Sequence, residues 1–272
     1  MKKIGYQGAH GCYSEAAILL NIKDVEPLGF KTFEEIFENV KNDEIEYGFI
    51  PIENSTTGSV LVNYDLLLKH DVKIIKEVYF KIEHCLISHK DSRFENIKKV
   101  FSHPQAIGQC REFINKNNLK PVVEFDTAGS VKIVKDNNKE DEAAIAGAFS
   151  AKIYDMKVLK KNIQENEFNI TRFFVISKKD SDQKKEKTSV VFKTGHYPGA
   201  LVNCLQRFSM QDVNLTKLES RPIIGKPWEY VFYTDITGGE DDPNVKTALE
   251  EIKEISKFLK ILGSYPKAKK DY

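Results

Sequence analysis

Short polar side chains gather at four points of the 272-residue chain, each just after an apolar run and just before a helical pattern. These points are residues 8–14, 53–59, 102–105 and 126–130. In an open α/β sheet they fall at the carboxyl ends of strands, where ligands bind. Helices that start there present free backbone N–H groups and a partial positive charge, which favour carboxylates. Any one point is better explained as a helix N-cap, but the four together favour a shared anion-binding cleft.

A fifth candidate is the segment Phe168-Asn-Ile-Thr-Arg-Phe-Phe174, which enters an apolar strand. Thr171 and Arg172 are adjacent, so one of them is expected to face the cleft and the other a wall, because successive strand residues point to opposite faces. Taken alone, the pattern favours a surface arginine beside a strand-forming threonine.

Several other signals fail to predict a cofactor or metal site. Gly5, Gly8 and Gly11 follow a strand with the spacing GxxGxxG, which is not the dinucleotide fingerprint, and there is no Walker or GxSxG sequence. His84 and Cys85 would point to opposite faces of a strand, which is awkward for joint metal ligation. His103 and Cys110 are able to lie near one another, but core or capping roles are more common. We therefore expect no cofactor and no metal.

Strands and helices alternate in two blocks, which predicts an α/β fold with mostly parallel sheets in two lobes. Residues 72–88 form a long segment rich in β-branched side chains, which is expected to be a strand pair or a crossing between the lobes. Thr32 and Glu35 form a capping box before a helix. Further strands are predicted at residues 3–7, 47–52, 99–102, 122–125, 143–146 and 173–177, and further helices at 14–20, 104–115 and 127–135.

The alternation restarts after residues 178–187, a charged stretch that is predicted to be a solvated linker. Residues 188–266 follow the order βαββαβ, which is typical of a ferredoxin-like unit, with helices at 200–210 and 245–258. Residues 1–177 would then form the two-lobed domain, and 267–272 a loose tail.

Composition excludes some partners. Lys plus Arg number 41 and Asp plus Glu 40, so no bulk charge draws the chain to nucleic acid or membrane. The cysteines Cys12, Cys85, Cys110 and Cys204 are scattered, which fits reduced thiols. The first residues, MKKIGYQGAHG, lack the apolar run of a secretion signal. We expect a cytoplasmic protein.

Several long segments resemble the prephenate dehydratase family, along essentially the whole chain. They are Ile50-Pro-Ile-Glu-Asn-Ser-Thr-Thr-Gly-Ser-Val60, Ser102-His-Pro-Gln-Ala-Ile-Gly-Gln-Cys110, Asn169-Ile-Thr-Arg-Phe173 and Gly11-Cys-Tyr-Ser-Glu-Ala-Ala17. The resemblance implies a catalytic domain similar to a periplasmic binding protein and a cofactor-free conversion of prephenate to phenylpyruvate in phenylalanine biosynthesis. The family's first loop commonly has Pro and Thr or Ser where this chain has Ala9 and Cys12.

Site residues follow from the same resemblance. Thr171 is the principal catalytic candidate, and Glu53 is an alternative acid if burial raises its pKa. The other catalytic candidates are Asn54, Ser55 and Gln109, and the substrate-binding candidates are Thr57, Ser102, Arg172 and Phe173.

The C-terminal segments Pro198-Gly-Ala-Leu201, Glu219-Ser-Arg-Pro222 and Leu262-Gly-Ser-Tyr-Pro266 resemble the family's ACT regulatory domain. This implies that L-phenylalanine binds as an allosteric effector and that the chain forms a homodimer or homotetramer through ACT domains. The implied effector-binding residues are Gly199, Ala200, Leu201, Glu219, Ser220, Arg221 and Pro222. Three alternatives stay open: arogenate as the substrate, an ACT fold kept only for oligomerisation, and a non-catalytic amino-acid sensor on a binding-protein scaffold.

Overall fold

A computed structural model describes residues 1–223 and 225–269. The strands, in chain order, are β1 (Lys2–Gln7), β2 (Val25–Phe30), β3 (Tyr47–Asn54), β4 (Gly58–Ser59), β5 (Lys73–Lys81), β6 (Cys85–Ser88), β7 (Lys99–Ser102), β8 (Lys120–Val123), β9 (Glu142–Ala146), β10 (Lys157–Lys160), β11 (Ile170–Ser177), β12 (Lys187–Lys193), β13 (Leu215–Ile223), β14 (Lys226–Thr237) and β15 (Phe258–Tyr265). The helices are α1 (Tyr13–Asn21), α2 (Phe33–Lys41), α3 (Leu61–Lys69), α4 (Pro104–Gln109), α5 (Arg111–Lys116), α6 (Thr127–Asn137), α7 (Ala148–Ile153), α8 (Ala200–Met210) and α9 (Pro243–Ile255).

The strands form three sheets, one for each lobe and one for the C-terminal unit. The first lobe has the order β2-β1-β3-β11-β5, with β4 on β3, and the second has β10-β6-β9-β7-β8. The third sheet has the order β13-β14-β12-β15 and carries α8 and α9, so the predicted βαββαβ unit is confirmed. The predicted two-lobed α/β class is confirmed as well.

The first two sheets are mixed, so the prediction of mostly parallel sheets is wrong. Strand β1 is parallel to β2 and β3, but β11 is antiparallel to both of its neighbours, β3 and β5. The cause is the path of the chain, because β11 returns from the second lobe and inserts between two strands of the first. The chain crosses between lobes at residues 82–84 and 161–169, which confirms the crossing predicted within residues 72–88.

Local signals position several helices. Thr32 and Glu35 form the predicted capping box of α2, and Asp126 caps α6 by accepting from Gly129 N. The helix predicted over residues 104–115 is instead two short helices, which meet at Cys110. The short segments β2, β10 and α7 were not predicted, since each is brief and only partly apolar.

The third sheet packs on both faces. On one face, Val190, Phe192 and Ile236 pack against α8 and α9. The other contributes Val191, Tyr233 and Tyr265 to a core shared with the first lobe. Lys187, predicted as the end of a solvated linker, is buried at the start of β12, because its ammonium group pairs with Glu77. Of the predicted tail, residues 267–269 are described and the amides of Lys267 and Ala268 donate to Glu186 and Glu77, while 270–272 lie outside the described residues.

Gly263 allows this packing, because β15 meets the backbone of β5 there. A Cβ at Gly263 would lie 2.2 Å from Ile74 O and 2.6 Å from Ile74 N. We expect Gly263→Ala to destabilise the fold by about 1–3 kcal/mol, as overpacking does, measured as the urea midpoint. Gly108→Ala is the matched control, since a Cβ there meets nothing within 4 Å. Equal midpoints for the two variants would contradict the account.

Candidate active site between the two lobes

A cleft of about 960 Å³ separates the two lobes. Residues at the starts of α1, α3, α4 and α6 line it, so all four junctions predicted from the sequence border one cavity. Two glutamines of the second lobe donate hydrogen bonds to the first lobe across the cleft. Gln105 Nε2 donates to Thr57 Oγ1 at 3.0 Å, and Gln109 Nε2 donates to Thr56 Oγ1 at 2.8 Å.

Thr171 and Asn54 face this cleft from the adjacent strands β11 and β3. Asn54 Nδ2 donates to Thr171 Oγ1 at 3.0 Å, which leaves the hydroxyl proton of Thr171 with no recorded acceptor among the described residues. Asn54 Oδ1 accepts from the backbone N–H groups of Thr56 and Thr57 at 3.0 and 3.1 Å. One amide therefore orients the Thr171 hydroxyl and also shapes the loop that follows β3.

Gln109 connects this pair to the crossing segments. Its Oε1 accepts from Asn169 Nδ2 at 3.1 Å and lies 2.8 Å from His84 Nε2, which requires a proton on that nitrogen. His84 Nδ1 is 2.7 Å from the hydroxyl of Tyr13. Burial lowers the pKa of His84, while its hydrogen bond with Gln109 opposes the shift. A neutral His84 thus fixes the amide of Gln109, with its NH₂ group toward Thr56.

Four members of this network were missed as site residues by the sequence analysis: Tyr13, His84, Gln105 and Asn169. Asn169 lies inside the quoted segment before Thr171, and Gln105 lies at a predicted helix start. Both could therefore have been predicted from the sequence. His84 was considered only as a metal ligand, and Tyr13 lies within residues 8–14 and the quoted segment Gly11–Ala17 but was not singled out.

The cleft lacks a side-chain cation among its described lining residues. Its carboxylates are Glu124 and Asp126. Cys12 precedes α1 without a side-chain cap, and the backbone N–H groups of Ser14 and Glu15 point toward its thiol at this helix start. Helix starts, rather than an arginine, supply the positive potential here.

Two expected site residues lie on the opposite face of the same strands. Arg172 is buried against Glu77 and Asp235, with Nη1 2.6 Å from Asp235 Oδ2. Glu53 pairs with Arg172 and Lys217. Burial alone would raise the pKa of Glu53, but Lys217 and Arg172 outweigh it, and the pKa lies below its ordinary value. This corrects both predictions: neither residue lines the cleft, and Glu53 is held ionised rather than as an acid.

Two serines are also displaced from the predicted roles. Ser55 Oγ donates to Phe168 O and accepts from Ile170 N, so it fastens β3 to the entry of β11. Ser102 is fully buried and donates to Ile145 O. Both hydroxyls are bonded to backbone groups and lie outside the cleft lining, which corrects the prediction of Ser55 as a catalytic residue and of Ser102 as a substrate contact. Thr57 and Phe173 do line the cleft, and Phe173 stacks on Phe49 at 4.6 Å.

A family model described as prephenate dehydratase matches residues 4–181. The chain belongs to the prephenate dehydratase family. It is 37% identical to the bifunctional chorismate mutase/prephenate dehydratase of Aquifex aeolicus (strain VF5), over 98% of this chain and 74% of that protein. It is 37% identical to arogenate dehydratase 2 of Petunia hybrida, over 97% of this chain and 71% of that protein.

Solved structures of similar proteins cover the C-terminal unit too. Prephenate dehydratase from Arthrobacter aurescens, solved in complex with L-Phe, has a TM-score of 0.90 and 28% identity, covering 97% of this chain and 90% of that one. A protein described as GqqA, a novel type of quorum quenching acylase, has a TM-score of 0.91 and 30% identity, covering 98% of each chain.

Cys12, one of the two positions interpreted from the sequence as departing from the family's first loop, lines the cleft. Its thiol is buried, and burial raises its pKa to about 12. The thiol is therefore neutral near pH 7 and contributes an apolar wall rather than a nucleophile. Ala9 packs into the core beside it.

A possible metal-binding set lies away from the cleft. It consists of Glu34, Glu38 and His70. The two ring nitrogens of His70 contact different carboxylates, at 3.2 Å from Glu34 and 3.7 Å from Glu38, and Lys69 also pairs with Glu34. A single metal ion would need one ring nitrogen of His70 to lie on the same side as both carboxylates. Because the two carboxylates contact different nitrogens, pairing of the carboxylates with His70 and Lys69 explains this set.

The C-terminal unit has its own cavity of about 420 Å³. Gly199, Ala200 and Leu201 line it, and Gly199 immediately precedes α8 with a φ of 85°, which a glycine adopts without strain. Pro222 only adjoins it, through its pairing with Tyr230. The remaining residues of the second segment lie outside the lining: Glu219 accepts from Ser59, Arg221 pairs with Asp65, and Ser220 is exposed. Within one chain the two segments do not enclose a common pocket.

Proposed function

We propose that the chain catalyses the decarboxylating dehydration of prephenate to phenylpyruvate in phenylalanine biosynthesis. One observation carries this assignment: Thr171 and Asn54 of the first lobe and Gln109 of the second meet in one cleft, in a chain of the prephenate dehydratase family. Small polar donors from both lobes are suited to hold a dianionic ring between them.

The reaction needs little beyond position and a proton. Prephenate loses its ring carboxylate as carbon dioxide and its ring hydroxyl as hydroxide, which takes up one proton to leave as water, while the ring becomes aromatic. Thr171 Oγ1 accepts from Asn54, so its own hydrogen is able to point to the departing oxygen. A threonine hydroxyl is a weak acid, so it either polarises this oxygen or relays a proton to it.

An acylase reaction is less well supported by the same geometry. A threonine nucleophile needs a base within hydrogen-bond reach. The recorded side-chain partner of Thr171 Oγ1 is an amide NH₂ group, which donates and cannot remove a proton.

Arogenate is the alternative substrate, because its amine would favour an acidic partner. Glu124 lines the cleft, and its carboxylate has no recorded partner among the described residues. The deciding experiment compares kcat/KM for prephenate and arogenate on the purified full chain. We expect prephenate to be preferred, with phenylpyruvate as the product. Faster turnover of arogenate would move the assignment to an arogenate dehydratase, and binding without product would revive the amino-acid sensor.

We further propose that the βαββαβ unit is an ACT domain that binds L-phenylalanine where two copies of the chain meet, as a homodimer or homotetramer. Apolar side chains exposed on this unit support such an interface: Leu218, Trp228 and Tyr230 are 45%, 76% and 39% exposed. Calorimetry with phenylalanine, alongside turnover and light scattering, tests the proposal. No heat and unchanged turnover would leave an ACT fold that serves oligomerisation only.

The proposed location is the cytoplasm. The described cysteines are all buried and free, as expected of reduced thiols. Within the described residues, none of the helices combines the length and apolar character needed to span a bilayer.

A further inference from the structure

Arg172 lies at the centre of a buried ion cluster that joins the first lobe to the C-terminal sheet. Its Nε and Nη2 contact Glu77 Oε2 at 2.9 and 2.8 Å, and Nη1 contacts Asp235 Oδ2 at 2.6 Å and Glu53 Oε1 at 3.2 Å. Glu77 lies on β5 and Glu53 on β3, whereas Asp235 lies on β14 of the C-terminal sheet. Carboxylates from three strands thus share the guanidinium group of Arg172, which lies on β11 next to Thr171.

Two lysines complete the cluster. Lys187 pairs with Glu77, and Lys217 pairs with Glu53 and, at 3.7 Å, with Glu219, so three cations face four carboxylates. Asp235 Oδ1 also accepts from Ser189 Oγ, which is itself bonded to the hydroxyl of Tyr265. Removing one charge would therefore leave a buried partner uncompensated.

The cluster and the active site use alternate residues of the same two strands. In the β3–β11 register Thr171 pairs with Asn54 and Arg172 pairs with Glu53. Thr171 and Asn54 face the cleft, while Arg172 and Glu53 face the C-terminal sheet. The register shifts between Arg172 and Phe173, so the ladder alone does not hold this end of the strand pair.

We propose that Arg172 is a positioning residue and that Asp235 is the partner through which the C-terminal domain sets the alignment of Thr171 and Asn54. The ion pair holds the face of the strands opposite the cleft, so a displacement of the C-terminal sheet alters turnover. This inference rests on the proposed dehydratase function.

The test compares Asp235→Asn with Asp65→Asn in the full chain. Asp65 pairs with Arg221 and also joins the first lobe to the C-terminal sheet, but through α3 rather than β11. We expect Asp235→Asn to lower kcat by about 10- to 100-fold with little change in KM, as a small misplacement of reacting groups does. Asp65→Asn should leave kcat within about twofold, and Asp235→Glu, which keeps the charge, should recover most of the turnover.

Backbone hydrogen exchange gives a readout that does not need activity. Amides of residues 47–54 and 170–177 should exchange faster in Asp235→Asn than in the wild type, and at unchanged rates in Asp65→Asn. Equal effects of the two substitutions on kcat and exchange, or no effect of Asp235→Asn on either, would overturn the inference. An inactive wild type would count against the dehydratase function, and exchange would then decide the positioning role alone.

Discussion

Thr171→Ala is expected to lower kcat for prephenate by about 10²–10⁴-fold, the range for a positioned acid or donor. The hydroxyl is the one group of β11 that faces the cleft with a proton free of recorded acceptors among the described residues. KM should change much less, because the departing oxygen needs this hydrogen bond chiefly in the transition state. Initial rates of phenylpyruvate formation measure both parameters.

Two variants at the same position separate chemistry from packing. Thr171→Val keeps the branched shape that suits a strand and removes only the hydroxyl, so it should be as impaired as Thr171→Ala. Thr171→Ser keeps a hydroxyl and should retain most of the turnover. Turnover of Thr171→Val near that of the wild type would remove this hydroxyl from the mechanism.

Asn54→Asp should have the second-largest effect, a fall in kcat/KM of about 10²–10³-fold, comparable to removing one preorganised donor. The substitution replaces Nδ2, which donates to Thr171 and Asn169, with a carboxylate oxygen. It also places a negative charge where a dianion must bind. The remaining oxygen still accepts from the amides of Thr56 and Thr57, so the loop should keep its shape. Steady-state kinetics and a thermal melt measure the two consequences.

Asn244→Asp is the matched control, because it makes the same charge change at an exposed position in the first turn of α9. Its kcat/KM should equal that of the wild type. If Asn54→Asp proves equally harmless, the Asn54–Thr171 hydrogen bond has no part in turnover.

Local sequence signals were sufficient for much of the scaffold. The capping box at Thr32 and the helix at residues 200–210 depend on residues close in the chain, and both occur as predicted. The four polar junctions also converge as expected, because parallel strands β1 and β3, and likewise β7 and β8, bring their carboxyl ends to one edge.

The direction in which each strand residue faces could not be predicted in the same way. The two-residue period of a strand puts Thr171 and Arg172 on opposite faces but does not say which one meets substrate. That choice depends on the C-terminal sheet, whose Asp235 lies 63 residues from Arg172 and covers one face. Glu53 is a similar case, since its lowered pKa depends on Lys217, 164 residues away.

We expect this cleft both to release carbon dioxide and to expel water from prephenate. The most direct measurement follows prephenate labelled in its ring carboxylate and records labelled carbon dioxide and phenylpyruvate together, with enzyme-free and Thr171→Val samples alongside. We expect one carbon dioxide for each phenylpyruvate, at a rate far above both samples. Rates that match the enzyme-free sample, or carbon dioxide released without phenylpyruvate, would contradict this expectation.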